Sequence, residues 1–193
     1  MKVLVACEFS GVVRDAFARR GHDAWSCDLE PSEAGGSHLQ FDVRDAILDW
    51  DWDLMIAHPP CPYLSRSGVR WLYEQPGRWE LMREAAQFFK ALWEANIPKI
   101  AIENPIPHRY GIEPLAGRYS QIIQPWQFGH GEVKATCLWL KGLPLLEPTN
   151  VVDGRVPRVH YEGPGKDRWK NRSRTYYGIA EAMAEQWGGP VTT

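Results

Sequence analysis

The chain has 193 residues and a formal net charge of −2, and this length suits one domain with a sizeable core. Such a charge excludes a global attraction to nucleic acid, so any binding to a polyanion must come from a local basic patch. The apolar run at the N-terminus is too short for a signal peptide, and no stretch is long enough to cross a membrane. We therefore expect one cytoplasmic domain over residues 1–193 with no membrane partner.

Four cysteines occur, without a CxxC pair and without the Cys/His spacing of a zinc site: Cys7, Cys27, Cys61 and Cys137. Three of them lie in or beside apolar runs, where Cys behaves as a small buried hydrophobe. This usage argues against a disulfide framework and for a reducing compartment. We expect no metal site.

The first predicted elements alternate between strands and helices. A short apolar run predicts a strand over 2–7, and a turn with Phe9, Ser10 and Gly11 leads into a helix over 12–20. The pattern continues with a strand over 23–27 that ends in Asp28, a short element over 39–43 near Asp42, and a short helix over 46–50.

The next elements carry the residues with the most chemistry. A strand over 54–57 precedes Pro59-Pro60-Cys61, and a long loop over 62–77 leads to a strong helix over 78–95. The apolar face expected for that helix includes Leu81, Ala85, Phe88, Phe89 and Leu92. A strand over 99–102 then precedes Glu103 and Asn104.

The last part of the chain is less regular. We predict a loop or short helix over 111–118, strands over 120–124 and 135–140, and a helix over 175–187 with Thr175 near its cap. The stretch 142–170 is rich in Pro, Gly and charge and shows no clear element. Alternation of strands and helices predicts an α/β fold with a doubly wound, mostly parallel sheet.

In a parallel sheet the carboxyl ends of the strands open onto one rim, where ligands bind. Cys61 and Glu103 each follow a predicted strand, so a thiol nucleophile and a general acid or base lie within reach of one substrate. The glycine turn after strand one and Asp28 after strand two form a nucleotide-cofactor layout. That signal is weak, since Phe9-Ser10-Gly11 is not GxGxxG.

Taken in order, these segments resemble the DNA cytosine-5 methyltransferase family, and the chain is also similar to small methylase-like proteins of phages and prophages. The segments that carry the resemblance are Phe9-Ser10-Gly11, Asp28, Asp42, Pro59-Pro60-Cys61, Glu103-Asn104 and a late helix that starts near Gly178. The resemblance implies a Rossmann-like fold that uses S-adenosylmethionine. It implies methyl transfer to C5 of cytosine in DNA.

The resemblance also implies roles for individual residues. The Cys61 thiolate adds to C6 of the base, and Glu103 donates a proton or hydrogen bond to N3. The cofactor lies against the turn at Phe9, Ser10 and Gly11 and against Pro59, with Asp28 on the ribose hydroxyls and Asp42 on the adenine amine. Pro60, Asn104, Arg172 and Arg174 are expected to contact the substrate.

Several positions depart from the family pattern. His58 replaces residues of other types before Pro-Pro, and it either tunes the thiol or caps the strand; we favour capping. Lys134 stands where the family has the first arginine of Gln-x-Arg-x-Arg, and we assign it a catalytic role. Pro105 follows Glu-Asn where the family has Val.

The largest departure is size, because the family inserts a substantial target-recognition domain after the late strand. Here that region holds a basic cluster, which either contacts phosphates or is a solvated loop: Lys166, Arg168, Lys170, Arg172 and Arg174, with Trp169 among them. We therefore expect low or partner-dependent sequence specificity on single-stranded or duplex DNA. Two alternatives stay open: C5 modification of a free pyrimidine nucleotide, and a non-catalytic nucleic-acid-binding module of the same fold.

Overall fold

A single seven-stranded sheet organises the computed structural model, which describes residues 1–112, 116–161, 163, 165–166 and 168–189. The strands are β1 (Lys2–Ala6), β2 (Asp23–Cys27), β3 (His38–Leu39), β4 (Leu54–Ala57), β5 (Lys99–Pro105), β6 (Gln121–Ile123) and β7 (Thr136–Lys141). The helices are α1 (Val12–Arg19), α2 (Val43–Asp49), α3 (Trp71–Glu74), α4 (Arg78–Trp93), α5 (Arg158–Tyr161), α6 (Arg168–Ser173) and α7 (Tyr177–Gly188).

The strand order is β3-β2-β1-β4-β5-β7-β6. Strands β1 to β5 pair in parallel, whereas β7 runs antiparallel to both β5 and β6. The carboxyl ends of the five parallel strands therefore share one rim with the first residue of β7. The mostly parallel α/β sheet expected from the sequence is confirmed.

Helices cover both faces of the sheet, which explains why its central strands are apolar throughout. On one face Leu4, Met55 and Ile100 pack against α2, α3 and α4. On the other face Val5 and Ile56 pack against α1 and α7. Each fully buried aliphatic side chain contributes about 1.5–3 kcal/mol, so the two layers hold the rim in a fixed geometry.

The buried face of α4 agrees with the predicted one except at Leu81, since Ala85 and Phe88 are partly buried against the same core as Phe89 and Leu92. Met82, Ala86, Phe89 and Leu92 are buried, whereas Leu81 is 40% exposed. Apolar residues occur in adjacent pairs along this helix, so two neighbouring apolar stripes are possible. Periodicity alone could not decide whether Leu81 or Met82 is buried. The helix ends at Trp93 rather than at residue 95.

Other boundaries also needed correction. Strand β5 extends to Pro105, so Glu103 and Asn104 lie inside the strand rather than after it. The third predicted element is a two-residue strand, and α2 begins at Val43, earlier than expected. Short helices α3, α5 and α6 occur in regions predicted to lack one. Residues 113–115 of the predicted segment 111–118 lie outside the described residues.

The final helix begins at Tyr177 with Tyr176 at its cap, so Thr175 precedes it. Among the helices that the structure describes, none is both long enough and apolar enough to cross a membrane.

Candidate functional site

Cys61 lies on a tight turn at the carboxyl end of β4. Pro59 and Pro60 stiffen the chain, and the carbonyl oxygen of Cys61 accepts the backbone N–H groups of Leu64 and Ser65, both at 3.1 Å. The cysteine side chain is partly buried. The turn therefore holds the thiol at the rim, as the sequence predicts.

Glu103 reaches the same rim from β5, the strand next to β4. Nδ1 of His58 lies 2.9 Å from Oε2 of Glu103, and the two side chains are only 10% and 13% exposed. The backbone N–H of His58 donates to the carbonyl of Ala6 at 2.9 Å, which continues the parallel pairing. The interpretation of His58 as a simple strand cap therefore misses what its ring does.

His58 and Glu103 each stabilise the charged form of the other side chain. Burial by itself lowers the pKa of His58, but the hydrogen bond to Glu103 and the charges of Glu103 and Glu8 outweigh it and raise that pKa. Burial by itself raises the pKa of Glu103, but His58, Lys134 and a hydrogen bond from Thr175 lower it overall. The site therefore favours an imidazolium–carboxylate pair.

Lys134 and Arg172 are both brought to the neighbourhood of Cys61. Burial and the charge of Glu103 raise the pKa of the Cys61 thiol, and the positive charges of Lys134 and Arg172 oppose that rise. Nζ of Lys134 donates to the carbonyl of Arg174 at 3.3 Å, so this ammonium also holds the chain before α7. Lys134 thus lies beside the thiol, where it favours the thiolate.

Glu8 is a buried carboxylate that the sequence interpretation overlooked. Its two oxygens accept the first backbone N–H groups of α1, from Val13 at 2.7 Å and from Arg14 at 3.2 Å. It is 5% exposed, and burial raises its pKa, while the charge of His58 is the largest influence that lowers it. An acidic residue just before the glycine that starts a helix was the available sequence signal.

The turn predicted to bind a cofactor has the required backbone form. Cys7 has φ of 58° and Gly11 has φ of 75°, so the chain turns sharply between β1 and α1. Asp28 follows β2 on the same rim, and its carboxylate accepts the N–H of Glu30 at 2.9 Å. This carboxylate fits the hydroxyls of a ribose.

The space beside that turn is small in this conformation. A cavity of about 20 Å³ is lined by Cys7, Glu8, Phe9, Ser10, His58, Ser173, Arg174 and Thr175. Ligand sites usually offer about 300–1,000 Å³. The cavity is therefore too small for a nucleotide cofactor in this conformation, and Ser173 at the end of α6 forms part of its wall.

The basic cluster covers this turn. The ring of Trp169 lies 5.6 Å from the ring of Phe9, and Nζ of Lys170 lies 3.4 Å from the carboxylate of Glu30. Arg174 binds both carboxylate oxygens of Glu33, at 2.8 and 2.7 Å. The sequence left open whether this cluster contacts phosphates or is a solvated loop, and in the structure α6 packs on the predicted cofactor turn.

Asp42 and Asn104 have surroundings that the sequence did not suggest. Asp42 caps α2, accepting the N–H of Arg44 at 2.9 Å and binding the guanidinium of the same residue. Asn104 follows Glu103 in β5 and so points to the opposite face of the sheet. It is 1% exposed, and its amide has no hydrogen-bond partner among the described residues.

A larger cleft adjoins the site. It measures about 500 Å³, and its lining includes Glu132, Val156, Arg158, Tyr161, Asn171, Arg174, Thr175 and Tyr176. Thr175 and Arg174 also line the small cavity, and Thr175 is a hydrogen-bond partner of Glu103. The cleft and the small cavity therefore adjoin at these two residues, and the volume of the cleft lies within the range of ligand sites.

Arginine and aromatic side chains surround the loop that follows Cys61. Guanidinium groups lie over aromatic rings in three pairs: Arg78 over Tyr63 at 4.3 Å, Arg70 over Trp71 at 4.2 Å and Arg109 over Tyr110 at 4.8 Å. The backbone N–H of Arg66 donates to the carbonyl of Ile106 at 2.8 Å, which joins this loop to the chain after β5. We call these six paired residues the arginine–aromatic surface. It offers cations for phosphates and flat rings for bases.

No group of three or more His, Cys, Asp or Glu side chains suited to a metal ion occurs within the described ranges.

Comparison with known proteins supports the fold. No family model and no curated protein sequence matches the chain. One similar solved structure, described as a candidate DNA modification methyltransferase encoded within a prophage (E. coli), has a TM-score of 0.53 and 17% identity over 85% of this chain. Another, the Entamoeba histolytica methyltransferase EhMeth, has a TM-score of 0.50 and 13% identity over 86% of this chain.

The chain spans 55% and 60% of the lengths of these two proteins. At such identities the likeness concerns the fold. The chain therefore has a mixed α/β, Rossmann-like fold similar to that of known methyltransferases.

Proposed function

We propose that the protein is an S-adenosylmethionine-dependent DNA methyltransferase that acts on C5 of cytosine through a covalent adduct with Cys61. One observation carries the proposal. Cys61 and Glu103 come from adjacent parallel strands and face one rim, next to the turn between β1 and α1. A nucleophile and a proton donor beside a nucleotide-type turn are what this chemistry requires.

Side chains of the protein can perform most steps of the proposed reaction. Lys134 and Arg172 favour the thiolate of Cys61, which adds to C6 of the base. Glu103 donates to N3 as charge develops on that edge of the ring. Bound S-adenosylmethionine supplies the electrophilic methyl group. Asp28, Phe9, Ser10, Gly11 and Pro59 would hold that cofactor, once the segment at α6 has moved away.

DNA is the favoured substrate because the arginine–aromatic surface adjoins Cys61. Stacking on partly exposed rings and contacts to phosphates tolerate any sequence. Only residues 142–176 separate β7 from α7, so the chain offers little surface for reading bases in a duplex. We expect low or partner-dependent specificity, with single-stranded DNA used at least as well as duplex.

The cleft of about 500 Å³ favours one alternative, a free pyrimidine nucleotide as substrate. Arg158 and Arg174 line this cleft and could bind the phosphate of such a nucleotide. Modification of DNA and modification of a free nucleotide would use the same thiol and carboxyl group. They differ in whether the arginine–aromatic surface is needed.

Trapping with 5-fluorocytosine tests the proposal. After addition of Cys61 and methyl transfer, the fluorine at C5 cannot leave, so enzyme and base stay linked. The assay compares single-stranded DNA, duplex DNA and 5-fluoro-dCMP in the presence of S-adenosylmethionine, with a gel shift and mass mapping as readout. We expect an adduct on Cys61 with DNA, and none in Cys61→Ala.

Glu103→Gln should slow adduct formation by about 10²–10⁴-fold, the usual contribution of general acid catalysis. Arg70→Ala with Arg109→Ala should weaken trapping on DNA and leave trapping on 5-fluoro-dCMP unchanged. An adduct that forms only with 5-fluoro-dCMP would favour the alternative. An adduct that persists in Cys61→Ala would contradict the mechanism.

A further inference from the structure

The ring of His58 binds one carboxylate and lies within the electrostatic influence of a second, Glu8. Its Nδ1 lies 2.9 Å from Oε2 of Glu103. Its Nε2 is buried and has no hydrogen-bond partner among the described residues. His58 and Glu8 both line the small cavity, so His58 belongs to the site.

The groups that face this pair come from four parts of the fold. Glu8 in the turn before α1 and Glu103 in β5 favour the imidazolium, and Lys134 before β7 disfavours it. Cys61 after β4 is close enough for its thiol to respond to Glu103, Lys134 and Arg172. Arg14 acts on Glu8. The negative charges of Glu8 and Glu103 outnumber the positive charge of Lys134, so these surroundings favour the protonated ring of His58.

We propose that His58 is a positioning residue that orients the Glu103 carboxyl group and supplies the proton that Glu103 delivers to the substrate base. This inference rests on the proposed function, because the base is the proton acceptor. A carboxylate held as an ion pair cannot protonate N3 by itself. Its hydrogen-bonded imidazolium is the nearest source of the missing proton.

The proton balance is simple. As the Cys61 sulfur forms a bond to C6, the π bond between C5 and C6 opens and electron density moves through the ring toward N3. The Nδ1 proton of His58 passes to the Glu103 carboxylate, and Glu103 passes a proton on to N3, which leaves a neutral imidazole and an unprotonated carboxylate. After C5 has gained the methyl group, its proton leaves to a solvent base, the π bond between C5 and C6 re-forms and the bond between sulfur and C6 breaks. The N3 proton then returns through Glu103 to His58.

Two variants separate orientation from proton supply. Asn at position 58 places an amide N–H near the former Nδ1, so His58→Asn can keep the hydrogen bond to Glu103 but cannot titrate. His22→Asn is a matched control, since His22 also has a buried, unpartnered Nε2 and is not in the site. Circular dichroism verifies that each variant folds.

The first measurement needs no substrate. NMR titration of the ring carbons, with His58 assigned from its loss in His58→Asn, should show a pKa above the ordinary 6.5. In Glu103→Gln this pKa should fall by about one to three units, the usual effect of losing an adjacent opposite charge. A His58 titration that does not move in Glu103→Gln would overturn the pair.

The second measurement follows the rate of 5-fluorocytosine trapping against pH. In the wild type and in His22→Asn, the rate should fall at high pH with the pKa that NMR gives for His58. In His58→Asn the fall should shift to lower pH by about one to three units, because Glu103 alone then holds the proton. Ionisation of Cys61 acts in the opposite direction, since it raises the rate as pH rises.

The outcomes are distinguishable. A slower His58→Asn enzyme with the wild-type pH profile would show a purely structural role and overturn the proton supply. If the wild type forms no adduct at any pH, the proposed function fails and the proton path fails with it. The NMR result would then still decide whether His58 and Glu103 form the charged pair.

Discussion

Arg174 binds Glu33 through both carboxylate oxygens and so connects the chain before α7 to the loop after β2. Trp169 adds a ring contact to Phe9 on the same side. Together these contacts cover the turn that we assign to the cofactor. Opening and closing of this segment is therefore expected to govern how fast a cofactor enters.

Glu33→Gln should speed that entry. An exposed ion pair contributes at most about 1 kcal/mol, so the association rate of S-adenosylhomocysteine should rise by up to about fivefold. Stopped-flow tryptophan fluorescence measures this rate. Glu181→Gln, which breaks the exposed pair with Arg19 elsewhere, is the control and should leave the rate unchanged. A slower association in Glu33→Gln would contradict the covering role.

Asp28→Ala should weaken the binding of S-adenosylmethionine and S-adenosylhomocysteine by about 1–3 kcal/mol, the range for hydrogen bonds to a charged group. Isothermal titration calorimetry gives the affinity. Asp23→Ala, at the other end of β2, serves as the control. If neither compound binds the wild type at millimolar concentration, the methyltransferase proposal is lost.

Asp42→Ala should destabilise the fold by about 0.5–2 kcal/mol, since Asp42 caps α2. Urea denaturation gives this difference. Asp42→Asn keeps a capping oxygen and should cost less, which makes it the right variant for testing the expected adenine contact. Weaker cofactor binding in Asp42→Asn at unchanged stability would support that contact.

Cys61 should react first with an alkylating reagent. Burial raises the pKa of Cys27 to about 11 and that of Cys137 to about 12, and it raises the pKa of Cys7 further. For Cys61 the charges of Lys134 and Arg172 oppose the rise. Mass mapping after partial labelling ranks the four thiols, and Lys134→Gln should slow the labelling of Cys61. Faster labelling of another cysteine in the native protein would count against our assignment.

The His58–Glu103 pair should stabilise the fold within a limited pH range. The pKa of His58 is raised, so its contribution is present below 6.5 and is lost as pH rises through the folded-state pKa. The pKa of Glu103 is lowered, so its contribution is present above 4.5 and is lost as pH falls through the folded-state pKa. The difference in unfolding free energy between wild type and His58→Asn should therefore be greatest between these limits. A difference that stays constant from about pH 4 to about pH 9 would contradict this, because both contributions change within that range.

The sequence predicted the central strands well because their signal is local. The run over 54–57 is short and wholly apolar, the run over 23–27 is short and contains two polar residues, and the structure has strands with those bounds. The rim position of Cys61 then followed from the parallel sheet. Local signals failed where packing decided, as for the face of α4 that buries Met82 instead of Leu81.

Contacts between segments that are distant in the chain could not be predicted from the sequence. The bond between His58 and Glu103 joins two strands, and the pair of Arg174 with Glu33 spans 141 positions. Glu8 was overlooked because an acidic residue before a helix is only a weak sequence signal, and its burial against the backbone N–H groups of α1 depends on the fold. The role of α6 as a cover over Phe9 likewise depends on tertiary packing.

The reversed direction of β7 has a consequence for how the molecule assembles. Its first residue lies opposite Pro105, which brings Lys134 to the rim that the parallel strands build with their last residues. As a ribosome releases the chain, the nucleophile and its proline turn emerge long before Lys134, Thr175 and α7. Cys61 is thus synthesised before the residues that supply positive charge near it and before the segment that covers the site. The charge balance of the site is therefore complete only when folding is complete.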